Sequence, residues 1–86
     1  MENRCVTYGT GSKYWFIEDK LHRLDGPAVE YANGDKEWFV EGERHRIDGH
    51  AIESTYGIKE WYYQGTQLKV SSQEEFERLL KLKIFW

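Results

Sequence analysis

Eighty-six residues, 40% of them hydrophobic and 31% charged, make one small domain with room for only a thin core. A net charge of −3 argues against nonspecific nucleic-acid binding, which needs a basic surface, and is too small for a nucleic-acid mimic. One cysteine, Cys5, excludes an intrachain disulfide and fits a reducing compartment.

In chain order, Met1-Glu2-Asn3-Arg4 is not followed by an apolar run, so no signal peptide is expected, and nothing approaches transmembrane length. Arg4-Cys5-Val6-Thr7-Tyr8 then opens a unit that returns every 23 residues. It aligns with Pro27-Ala28-Val29-Glu30-Tyr31 and with His50-Ala51-Ile52-Glu53-Ser54. A turn follows at Gly11, Gly34 and Gly57, and then an aromatic strand centred on Trp15, Trp38 and Trp61. The connecting stretch His22-Arg23-Leu24-Asp25-Gly26-Pro27-Ala28 recurs as His45-Arg46-Ile47-Asp48-Gly49-His50-Ala51 and decays to Leu68-Lys69-Val70. A fixed period in this range means one supersecondary unit copied along a quasi-one-dimensional array.

Each unit has hairpin grammar. Asn33-Gly34 is the strongest two-residue hairpin signal, because a type I′ turn needs positive φ at both central positions. That turn predicts Val29 opposite Trp38, Ala28 opposite Phe39 and Glu30 opposite Glu37, the last an unfavourable like-charge pair. Asp25-Gly26 and Asp48-Gly49 mark a second turn, and Gly42 and Gly65 another. Turns about every ten residues suit a continuous antiparallel meander. Ser72 then begins a Ser-x-x-Glu capping pattern, and Phe76, Leu79 and Leu80 follow at helical spacing, predicting a helix over about 73–83. Leu82-Lys83-Ile84-Phe85-Trp86 partly alternates and reads equally as a short strand. The expected fold is mostly β: a single-layer antiparallel β-meander of 23-residue hairpin repeats (residues 1–70) with a C-terminal α-helix in a helical cap (residues 71–86) of the same domain.

The 23-residue step, the turn glycines and the strand aromatics resemble MORN-type repeats over roughly residues 4–70. The His-Arg-x-Asp-Gly-Pro-Ala stretch at 22–28 resembles a variant found in small proteins of phages and large viruses. The resemblance implies a noncatalytic scaffold that binds proteins or lipids, with one bacterial branch described as antitoxin-like. Trp where Tyr is common, and His-Arg-x-Asp-Gly where a glycine-rich turn is common, set this chain apart from the lipid binders.

His22, Arg23 and Asp25, with His45, Arg46 and Asp48, are the first candidate site, since a His beside an Asp can act as an oriented base. Duplication without a nucleophile at a matching offset favours a structural reading, in which Arg and Asp pair across a turn. His45, Asp48 and His50 offer metal-ligand chemistry but match no strong template, and no metal or cofactor is expected. Trp15, Trp38 and Trp61 form either a sugar- or choline-stacking ladder or, with Val6, Val29 and Ile52, the core beneath the helix. Alternation places Phe16, Phe39 and Tyr62 on the other face, where an uncovered aromatic row marks an interaction site or a homodimer interface. Cys5 aligns with Ala28 and Ala51 and is expected to fill a small core position.

The expected function is protein binding without catalysis: a phage or viral accessory protein, cytoplasmic and in the host cytoplasm if viral, that binds and sterically inhibits a host defence or metabolic protein. Its expected contacts are Phe16, Phe39, Tyr62, Arg23, Arg46, His22 and His45, with neither nucleic acid nor membrane as partner. The alternatives are a carbohydrate- or choline-binding module on the tryptophan ladder, and a hydrolase or nuclease using one His/Asp set.

Overall fold

The aromatic strands pair through short antiparallel ladders. The computed structural model describes residues 3–9 and 11–82. Its strands are β1 (Arg4–Thr7), β2 (Lys13–Ile17), β3 (Lys20–Leu21), β4 (Val29–Glu30), β5 (Lys36–Glu37), β6 (Phe39–Val40), β7 (Glu43–Arg44), β8 (Ile52–Glu53), β9 (Lys59–Tyr63) and β10 (Thr66–Leu68), followed by helix α1 (Gln73–Leu82). The main path runs β1-β2-β4-β5-β8-β9-β10, with β3 on β2 and a second ladder of β6 and β7. Backbone bonds from Arg23 N to Phe39 O and from Arg46 N to Tyr62 O tie that second ladder into one fabric. The result is an antiparallel meander in a slab 17 Å thick, with one C-terminal helix. Among the described residues no helix is long and apolar enough to cross a membrane.

Two kinds of turn alternate. Ile17↔Lys20, Val40↔Glu43 and Tyr63↔Thr66 close two-residue loops in which both central residues have positive φ. This is the type I′ geometry that twists with the strands. At the other end, Tyr31 N donates to Asp35 O and Gly34 N to Tyr31 O, with Gly34 at φ 100°. Ser54, Gly57 and Ile58 repeat that pattern.

This corrects the register expected from Asn33-Gly34. Only Gly34 of the pair is left-handed; the loop has three residues, Ala32 to Gly34, and ends in a glycine bulge. Val29 therefore pairs with Glu37, and Glu30 pairs with Lys36 rather than Glu37. The shift replaces the like-charge pair with a ladder of opposite charges, Lys13–Glu30–Lys36–Glu53–Lys59. A one-residue shift also exchanges faces. Ala28 and Ala51, both fully buried, join the tryptophan row through bonds from Trp15 N to Ala28 O and from Trp38 N to Ala51 O. Val29, paired with Tyr14, lies on the opposite face from Trp38.

Helix α1 starts where the capping pattern places it. Glu75 N donates to Ser72 Oγ, and Glu75 Oε1 accepts from Ser71 N. Phe76 is fully buried against Trp61 and Leu68, with Tyr63, Val70, Leu79 and Leu80 around them. The helix thus packs on the tryptophan face, but at Trp61 rather than along the whole row. The expected helix end at 83 and the alternative strand at 82–86 extend outside the described residues. Cys5 pairs with Trp15 but is exposed, because β1 is an edge strand with no strand beyond it among the described residues, so the small core position expected for it is not realised.

Candidate functional site

Each His-Arg-x-Asp-Gly motif builds one clamp over one tryptophan. Arg23 folds back so that its guanidinium lies 4.0 Å over the Trp15 ring, and Arg46 lies 3.9 Å over Trp38. Arg23 Nε donates to Asp25 and Nη1 to Pro27 O and Glu30; Arg46 Nε donates to Asp48 and Nη1 to His50 O. The glycine leaves room for the guanidinium: a Cβ on Gly49 would meet Arg46 Cζ at 2.8 Å, and one on Gly26 would meet Arg23 Cζ at 3.0 Å, so a larger residue would shift the arginine. Both arginine side chains are only 22% exposed. Hydrogen bonding to the arginines holds Asp25 and Asp48 below the usual carboxylate range.

In the second copy His50 replaces Pro27. Its Nε2 lies 2.7 Å from Glu53, and its ring stands edge-on to Trp38 and Trp61. The hydrogen bond to His50 lowers the Glu53 pKa.

The motif histidines join neighbouring repeats. His22 Nδ1 accepts from Glu41 N and His45 Nδ1 from Gln64 N, each at the first residue of a type I′ turn one repeat on. Each Asp therefore serves the Arg, and each His serves a backbone N–H. His45, Asp48 and His50 bond to three different neighbours. Among the described residues no group of three His, Cys, Asp or Glu side chains is placed to hold a metal ion.

Burial, opposed by Glu43, lowers the His45 pKa. A base depressed in the folded state binds fewer protons there than in the unfolded chain. His45 should therefore contribute no pH dependence well above 6.5 and should erode stability as pH falls below 6.5 toward its folded value. Thermal unfolding of wild type and His45→Gln between about pH 7.5 and pH 5.5 measures this. The wild type should lose more than the variant as pH falls; parallel losses would mean that His45 does not couple to folding.

Phe16, Phe39 and Tyr62 share the face opposite the tryptophans, all half-buried. The expected apolar row is interleaved with cations. Arg44, paired with Phe39 on β7, lies 5.5 Å from both the Phe39 and Tyr62 rings, and Arg4 lies 6.0 Å from Phe16. Arg44 also bonds Glu37, which accepts from Tyr31 Oη. Burial and the Glu37 bond push Tyr31 up to about 12.

The expected contact residues are thus divided between two faces. Phe16, Phe39 and Tyr62 lie on one; Arg23, Arg46 and His45 lie on the other, engaged with their own chain, and His22 is likewise engaged at the turn of the next repeat. Arg44 was not singled out from the sequence, although it is the only arginine of its column, with Leu21 and Gln67 in the other repeats. Leu24 and Ile47 were passed over as well. They are 79% and 57% exposed at the tips of the two clamps, and their signal was an apolar residue kept in both copies of a turn. Comparison of the chain with protein-family models, curated proteins and solved structures finds no match.

Proposed function

We propose that this chain is a noncatalytic protein-binding module and, following the phage and viral flavour of its repeat, an accessory protein that occludes a surface of a host factor. The observation that carries the reading is the row Phe16, Phe39 and Tyr62 on the face away from α1, with Arg44 between the last two rings. Aromatic rings flanking an arginine are the side chains that dominate binding hot spots. A sheet stapled between repeats by His22, His45 and the clamps presents that row with little ordering cost on binding. The mechanism is steric, with Phe39 and Tyr62 as hot spots and Arg44 as the polar anchor.

The test is a pull-down of the tagged full chain from lysate of the candidate host, beside Phe39→Ala/Tyr62→Ala of unchanged circular dichroism. The captured protein is then purified and titrated by calorimetry. A stoichiometric partner should bind wild type and lose affinity by about a hundredfold or more with the double variant. A partner that binds both equally would remove the aromatic row from the interface.

A further inference from the structure

Helix α1 is held in a seat made by the repeat itself. Trp61, Tyr63, Leu68 and Val70 receive Phe76, Leu79 and Leu80. Gln73 locks the helix in place: its Oε1 accepts from Trp61 Nε1 at 2.8 Å, and its Nε2 donates to Ile47 O at 3.0 Å. One repeat earlier, the residues corresponding to the four seat residues are Trp38, Val40, His45 and Ile47. All four line an open groove of about 690 Å³ between the two clamps. The far wall includes Leu24, which stands to Trp38 as Ile47 stands to Trp61. The groove is therefore the repeat-equivalent copy of the seat that α1 fills. One exchange makes it more polar, His45 for Leu68, and Arg46 is folded over Trp38 where the next repeat has Lys69.

The geometry points to a second docking site, independent of the Phe39–Tyr62 face: the groove takes an amphipathic helix of a partner protein that presents a glutamine to Trp38 Nε1 and the Leu24 carbonyl, and apolar residues three and six or seven positions later. Both features are the pattern of Gln73, Phe76, Leu79 and Leu80. Continuity supports the same occupant, because Ile47 lines the groove while its carbonyl already holds the neighbouring helix. Leu24 and Ile47 meanwhile leave apolar surface in water that a helix would cover.

The probe is a labelled peptide of residues 71–82 with a lactam between Glu77 and Lys81, because so short a helix is marginal without a bridge. Titrated into the full chain, it should saturate and should shift the indole N–H resonance of Trp38 more than that of Trp61. Leu24→Asp, at an exposed tip, should weaken it by about tenfold or more, as should Gln73→Leu in the peptide. Phe39→Ala/Tyr62→Ala should leave peptide binding unchanged, which separates this site from the aromatic row. Absence of saturable binding would overturn the proposal. So would binding indifferent to Leu24→Asp, which would mean that the peptide displaces α1 instead. Concentration-dependent dimerisation of the chain, abolished by Leu24→Asp, would assign the groove to a second copy and overturn the partner assignment.

Discussion

Phe76→Ala is expected to destabilise the fold by about 3–5 kcal/mol and to release α1 from the sheet. Phe76 is fully buried, and no other side chain of the helix is. Removing the ring strips Trp61 and Leu68 of their main neighbour, and a helix of 10 residues is too short to persist alone in water. For a domain of this size the loss corresponds to a fall in Tm of some tens of degrees. Thermal denaturation by circular dichroism gives the magnitude, and tryptophan emission gives the location, since Trp61 should pass from buried to wet. An unchanged Tm would show that the helix lies outside the cooperative unit.

Arg46→Ala is the second large effect, roughly 2–4 kcal/mol, although the residue is charged and near the surface. Its guanidinium covers Trp38, bonds Asp48 and satisfies the His50 carbonyl, so truncation uncovers a ring and removes a partner from a backbone acceptor at once. Arg46→Lys should recover less than half of the loss, because an ammonium cannot stack flat and fork to two acceptors. Arg4 is the control. Its pair with Asp19 is 4.0 Å long between largely exposed side chains, and Arg4→Ala should stay within about 0.5 kcal/mol of wild type. Urea titrations of the four proteins decide the point, and an Arg46→Ala value as small as the control would refute the clamp as a source of stability.

The clamp also explains why the duplicated motif looked like chemistry. Arg-x-Asp-Gly recurs because one guanidinium packs close against the glycine, pairs with the Asp and lies on a tryptophan. In the third unit the motif decays, and Trp61 is buried against helix α1. Of the two sequence readings of the tryptophans, a ligand-stacking ladder and a core, the second assigned one cover, the helix, to all three. The cover over Trp15 and Trp38 is a polar side chain folded back from a turn, which hydrophobic periodicity does not register.

What the sequence alone determined is whatever depends on local spacing: the 23-residue unit, its turns, the alternation that separates Trp38 from Phe39, and the Ser72 cap of α1. These follow from φ preferences, the period of a strand and capping chemistry, each settled within a few residues. Only the tertiary structure decided the register at Asn33-Gly34, the exposure of Cys5 and the division of the candidate contacts between two faces. The register turned on one residue in a loop, weighed against a charge ladder spanning five strands. The groove between the clamps has the same origin. Its lining comes from two repeats, and its resemblance to the helix seat is visible only once α1 is seen filling the next one along.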